Sequence, residues 1–317
     1  MALFKSITKN WEILVILEKK LENGILTMYF FFVIKYAFRR KIVKKTFIIS
    51  FSFIFLLSIL SGCASTRLGG AKEQLKVGME CNYAPFNWTQ PYASNSAVHI
   101  SNDSTGYADG YDVQIAKKIA DYLGMELVIV KMEWDGLIPA LNSNTIDLII
   151  AGMSPTDERK KAIDFSDYYY ESDLVIVIKK DGPYAGATSL ADFSGSKITA
   201  QLNTTHYDVI DQIPGVNKQE ALPDFPSMIN ALKSGFIDGY ISERPGALSA
   251  VSAHPDLAFI AFDAGKGFNY NINNSNVSVG MRKNSTLKDK INAALAKISK
   301  DERTQMMNDA ILNSVVG

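Results

Sequence analysis

The chain has 317 residues, enough for one large or two ordinary domains with sizeable cores. At 47% hydrophobic and 21% charged it is neither a disordered nor a collagen-like sequence. Its formal charge of zero hides an imbalance: the first 62 residues carry ten Lys/Arg and three Asp/Glu, which leaves a net −7 on the other 255 and excludes a nucleic-acid binder that relies on overall basicity.

Arg39, Arg40, Lys41, Lys44 and Lys45 precede an uncharged run from Thr46 to Leu60. A charged n-region, an apolar h-region and small residues after it compose a secretory signal, and fifteen residues fall short of the ~20 that a bilayer span needs. Met28 opens a signal of more ordinary length, so residues 1–27 read as lying upstream of an alternative start. Leu60-Ser61-Gly62-Cys63 resembles the lipobox of bacterial lipoproteins, which implies that Cys63 is diacylated and becomes the mature N-terminus. The alternative is an uncleaved anchor with a chance cysteine, and both put the remainder outside the cytoplasm. Residues 1–62 are thus a leader and 63–73 a small, polar tether. With Cys63 lipidated, Cys81 has no disulfide partner.

Next, Leu75 to Met79 reads as a strand. Asp112 is placed to N-cap a helix whose stripe is Val113, Ala116, Ile119, Ala120 and Leu123, closed by Gly124. Glu126–Val130 is strand-like, 137–141 helical with Pro139 near its start, and 146–151 a strand again. The alternation predicts an α/β fold with buried, largely parallel strands. Tyr168 to Tyr170 and Asn271 to Asn276 read as loop and hinge surface.

An internal similarity suggests two α/β lobes. Ile138, Ala140, Leu141, Ser143, Ile146 and Asp147 recur 91 residues later as Ile229, Ala231, Leu232, Ser234, Ile237 and Asp238. Lys76, Val77 and Asn82 echo as Lys197, Ile198 and Asn203 at an offset of 121. Open α/β sheets bind ligands at the carboxyl ends of their strands. There lie Glu80 to Phe86, Gly152-Met153-Ser154, Gln201 to His206 and Ser242-Glu243. Tyr83, Phe86 and Trp134 offer aromatic faces, Ser154, Thr204 and Thr205 hydroxyls, Arg159 a fork suited to a carboxylate, and Glu80 and Glu243 negative charge. Such a set suits a zwitterion. Arg159 beside Lys160 and Lys161 also reads as a solvated helix face, and Trp134 and Phe86 as core.

From Leu75 to the C-terminus the chain resembles the polar amino-acid substrate-binding proteins of ABC importers, bacterial solute-binding protein family 3. The resemblance rests on Val77-Gly78 with Tyr83-Ala84-Pro85-Phe86, Gly110-Tyr111-Asp112-Val113, Trp134 through Leu141, Asp147 through Ser154, Glu158-Arg159 and Asp164-Phe165-Ser166-Asp167. It implies a two-lobed type II periplasmic-binding-protein fold, two open α/β sheets joined by a two-segment hinge. It implies that Arg159 clamps a ligand α-carboxylate with the Ser154 N–H and Thr205, and that Glu243 takes the α-ammonium, where the family more often has Asp. Gly152 and Ser154 match further contacts to those poles, and Gln201 is counted with the ligand-binding positions. Tyr83 and Trp134 match the aromatics that sandwich the ligand side chain, and Glu80 and His206 face its tip. Two departures stand out: Asn203, where the family usually has Gly, and a polar insertion from Pro91 to Thr105. The insertion either covers the cleft mouth or has no part in it.

Expected boundaries are 74–176 plus 276–317 for lobe I and 177–275 for lobe II, with hinge crossings near Val175–Ile178 and Val277–Val279. The expected function is an extracytoplasmic, lipid-anchored subunit capturing a polar free L-amino acid, with a lean to basic ones, for a permease and its ATPase. It is read as a monomer without cofactor or metal. The alternatives are an enzyme on this fold, of dehydratase or lytic transglycosylase type, or a sensor domain. The three histidines His99, His206 and His254 lie far apart, no nucleophile-elbow, P-loop or Rossmann fingerprint occurs, and the chain stops at Gly317 soon after an amphipathic helix around Leu287 to Ile298.

Overall fold

A computed structural model describes residues 72–94, 96–271 and 276–314; the leader, Cys63, most of the tether and residues 272–275 lie outside the described residues. In chain order the strands are β1 (Gln74–Met79), β2 (Asn82–Tyr83), β3 (Asn87–Gln90), β4 (Val98–His99), β5 (Tyr107–Asp109), β6 (Glu126–Lys131) and β7 (Leu148–Ile149). There follow β8 (Asp164–Tyr170), β9 (Leu174–Lys179), β10 (Lys197–Thr199), β11 (Asn217–Lys218), β12 (Gly239–Glu243), β13 (Leu257–Ile260) and β14 (Val277–Met281). The α-helices are α1 (Tyr111–Leu123), α2 (Leu137–Asn142), α3 (Asp157–Ala162), α4 (Thr205–Asp208), α5 (Phe225–Ser234), α6 (Arg244–Ala253), α7 (Lys288–Ala296) and α8 (Lys300–Asn313).

Two five-stranded sheets have matching orders, β6-β1-β7-β14-β8 and β11-β10-β12-β9-β13. In each, four strands point the same way and one, β14 or β9, runs against them, so two of the four strand pairings are parallel and two antiparallel. The match extends to single atoms. Lys76 and Asp147 exchange hydrogen bonds, the Asp147 N–H donating to the Lys76 carbonyl (2.7 Å) and the Lys76 N–H to Asp147 Oδ2 (3.0 Å). Lys197 and Asp238 do the same at 2.8 Å each. Before each aspartate, Ser143 and Ser234 donate to the carbonyls of Ala140 and Ala231, and Asn144 (φ 62°) and Gly235 (φ 79°) end the helix in the left-handed region. That conformation suits Gly and, among other residues, Asn. The sequence repeat is therefore one helix-turn-strand unit used twice.

Helix α1 buries Val113, Ile115, Ala116, Ile119 and Ala120 and closes at Gly124 in the left-handed region. Asp112 does not cap it. The carboxylate lies fully buried inside the first turn and accepts from Asn87 Nδ2 (2.8 Å) and the Tyr169 hydroxyl (2.6 Å). Burial lifts its pKa to about 6 against those two donors. Tyr169 is accordingly core, which corrects the reading of 168–170 as surface; Tyr168 alone of the three is exposed.

The polar insertion contributes β4 to a small sheet, β2-β3-β5-β4, and Ile100 bridges to Ile129 on the edge strand β6. The residues expected to mark the hinge, Val175–Ile178 and Val277–Val279, lie inside β9 and β14. All of β9 pairs within the second sheet, so the chain changes sheets at residues 171–173.

Candidate ligand-binding site

Arg159 owes its place to a short helix with clear start signals. Thr156 caps α3 by accepting the Arg159 N–H (3.2 Å), with Asp157 and Glu158 in the first turn. The side chain is half-buried rather than solvated with Lys160 and Lys161: its guanidinium lies 5.0 Å above the Trp134 ring, Nη1 donates to the Ser154 carbonyl (2.9 Å) and Nη2 to the Asn203 carbonyl (3.0 Å). Burial draws its pKa down to about 10, against the opposing pull of Asp208 and Glu243.

Asn203 comes from the second half of the molecule. At φ 55° it holds the left-handed conformation glycine would adopt, so the loop backbone is kept despite the departure from the family pattern. Its side chain adds a contact glycine could not make, Nδ2 donating to Asp135 Oδ1 (2.8 Å).

Glu243 ends β12 and is almost fully buried. His206 Nε2 lies 2.9 Å from its Oε1, and the Tyr83 hydroxyl donates to Oε2 from the other half. Burial works to raise the Glu243 pKa, but His206 and the Tyr83 hydroxyl outweigh it and hold the carboxyl below its ordinary value. Glu80 is also buried, with one oxygen accepting from Gln201 Nε2 (2.8 Å) and Oε2 without a partner among the described residues. Burial pushes its pKa up to about 8, opposed by Gln201 and helped by Asp224, Glu133 and Asp135.

Gly152 (φ 63°) brings the backbone against Tyr83: a Cβ there would sit 2.8 Å from the Tyr83 ring, so space and conformation both call for glycine. Tyr83 lies in β2 rather than on an open loop, stacked between Phe86 and Phe225.

Nine of the ten candidate ligand residues, Tyr83, Trp134, Gly152, Ser154, Arg159, Gln201, Thr205, His206 and Glu243, line a single cavity, with Thr204. Glu80 stands one hydrogen bond behind it, through Gln201. The cavity measures only about 10 Å³, room for a single water molecule. Outside it, a larger cavity of about 640 Å³ shares Trp134, Arg159, Thr204 and Thr205 and adds Asp135, Glu158 and Asp208. The Pro91–Thr105 insertion lines neither. Phe225 escaped sequence reasoning, which takes Asp112 for a helix cap rather than for a buried acceptor. Asp112 sits inside a motif the reading did use, whereas nothing in sequence ties Phe225 to Tyr83, 142 positions earlier.

Among the described residues no group of three or more His, Cys, Asp or Glu is placed to hold a metal ion, and no helix is long and apolar enough to cross a membrane. Residues 75–313 match the model of the bacterial extracellular solute-binding proteins, family 3. The chain belongs to that family. It is a solute-binding protein of the kind that serves amino-acid ABC importers, and such proteins bind rather than transform their solutes. It is 31% identical to the arginine-binding extracellular protein ArtP of Bacillus subtilis, over 75% of this chain and 87% of that one. Among solved structures it resembles an amino-acid ABC transporter substrate-binding protein, AbpA, from Streptococcus pneumoniae bound to L-arginine (TM-score 0.64, 28% identity, 76% of this chain and 96% of that one). It also resembles an ancestral arginine-binding protein bound to glutamine (TM-score 0.61, 32% identity, 76% and 98%). The fold is the two-lobed type II periplasmic-binding-protein-like architecture of these proteins.

Proposed function

We propose that the protein captures a free L-amino acid, preferably one with a cationic side chain, between two closing lobes and presents it to an ABC permease and its ATPase. The observation that carries the reading is that Arg159 from one half and Glu243 from the other line the same cavity. Arg159 grips the α-carboxylate with the Ser154 N–H and Thr205, exchanging the carbonyls it now holds for a charged acceptor. Glu243 takes the α-ammonium in place of the Tyr83 hydroxyl or His206. Trp134 and Tyr83 line the path of the side chain, and Glu80, buried with an unpartnered oxygen, suits a cationic tip. An amide such as that of glutamine would also donate to it.

Closure follows because the two poles belong to different lobes, about 74–173 plus 276–317 and about 174–275, and a guest bridging them stabilises only the closed form. The arginine bound by AbpA and the glutamine bound by the ancestral protein are both compatible with these groups. We place the protein outside the cytoplasm as a monomer held at the membrane by a lipidated Cys63. A thermal-shift screen against the twenty L-amino acids, ornithine and cystine tests the reading, since a ligand that selects the folded form raises Tm by mass action. Arginine, lysine, ornithine or glutamine is expected to give the largest shift; no shift with any of them contradicts it.

A further inference from the structure

The cleft closes on the chain's own side chains, and one of them takes a place a guest would need. Tyr83 turns one face to Phe86, 5.0 Å between centroids, and both come from the stretch just after β1. Its other face is covered across the cleft by Phe225, at 4.1 Å and 9° between planes. Phe225 is buried, opens α5 behind the Asp224 cap, and meets His206 and Tyr240 edge-on at 6.4 and 6.3 Å. Asp224 adds a cross-cleft contact of its own, accepting from Asn82 Nδ2 at 3.5 Å. Several polar groups around the cavity hold internal partners in the same way, although Glu80 Oε2 and His206 Nδ1 have none among the described residues. Tyr83 and His206 hold both oxygens of Glu243, and Gln201 donates to Glu80. With about 10 Å³ left, an amino-acid side chain reaches the Tyr83 face only if Phe225 withdraws.

We infer that Phe225 is a specificity-determining residue that competes with the ligand's side chain for the face of Tyr83. The inference rests on the amino-acid-binding reading above. Aromatic stacking adds to the area the two rings bury, so the Tyr83–Phe225 pair stabilises a closed form that needs no guest. Apparent affinity is then reduced by the fraction of molecules in the open, competent form. The competition bears on side chains long enough to use that face, the basic and amide ones.

The test is calorimetric titration of the unaltered protein, Phe225→Leu and Phe225→Ala with L-arginine and L-glutamine as probes, alongside Tm and small-angle scattering without added amino acid. Leucine keeps apolar volume while removing the planar stack, and so guards against loss of folding in the alanine variant. Competition predicts about tenfold tighter binding by Phe225→Ala of each probe that the unaltered protein binds, about 1.4 kcal/mol, with a smaller gain for Phe225→Leu. It also predicts a lower Tm and a larger radius of gyration without the probe. A purely structural role would lower affinity and Tm together. Unchanged or weaker binding by folded Phe225→Leu and Phe225→Ala overturns the inference and leaves the reading of the site intact. Failure of the unaltered protein to bind either probe overturns both.

Discussion

Glu80 makes the capture of a cationic side chain depend on pH. Burial raises its pKa to about 8, and Gln201 only partly opposes that. At pH 7 the carboxyl is therefore mostly protonated, about ten to one. A guanidinium or ammonium beside it requires the carboxylate, so binding expels the proton. If the complex returns the group to an ordinary carboxylate pKa, affinity for L-arginine rises about fiftyfold from pH 6 to pH 8 and levels off above. L-glutamine, which is satisfied by either form, shows no such rise. The two ligands share the same α-carboxylate and α-ammonium, so the ratio of their affinities isolates the side-chain tip. Titration calorimetry at half-unit pH steps measures that ratio, and Glu80→Gln should flatten it. A ratio constant between pH 6 and 8 refutes the placement of Glu80 at the side-chain tip. The linkage has a second sign to check. Because the folded-state pKa lies above the unfolded one, the native state holds the extra proton between them. The stability this gives is present below the unfolded value and is lost as pH rises through about 8. Relative to Glu80→Gln, Tm without ligand should fall across that window.

Arg159→Ala should weaken amino-acid binding by about 3 kcal/mol, because it strands a desolvated carboxylate; unchanged calorimetric affinity would remove Arg159 from the site. Gly152→Ala should cost about 1–3 kcal/mol in denaturant unfolding, since the methyl meets the Tyr83 ring and the backbone is left-handed; no loss would contradict that packing. Asn203→Gly keeps the loop backbone and removes only the bond to Asp135, so small-angle scattering should show a more open form in the absence of ligand, and an unchanged profile would deny the contact a part in closure. Cys63→Ser should move the protein from the membrane fraction to the soluble one, and persistence in the membrane fraction would argue against lipidation.

The repeated unit was legible because its physics is local. An apolar helix face, a serine that turns back onto the helix, a residue tolerant of positive φ and an aspartate that pairs with a neighbouring strand all fall within ten positions of Ile138 and again of Ile229. Glu243 was legible for a related reason, since it ends a strand whose own pattern is strong, whereas Arg159 stands in the short helix α3 and was marked by its guanidinium chemistry and the motifs around it. Long-range pairing was not legible. Asp112 has the chemistry of a helix cap, and only the fold brings Asn87 and Tyr169 to it, drawing it into the core. Phe225 reads as an ordinary apolar residue at the start of a helix, and its stack on Tyr83 exists only because the cleft closes. The antiparallel β14 and β9 escaped as well, because an apolar strand buried on both faces carries no mark of its direction.

The central claim is that Arg159 and Glu243 hold opposite ends of one small zwitterion. A crystal structure of the protein grown with L-arginine tests it most directly. The account predicts the α-carboxylate within hydrogen-bonding distance of the Arg159 guanidinium and the α-ammonium on Glu243. Arginine seated elsewhere, or bound in this cleft with neither group touching those two side chains, would contradict it.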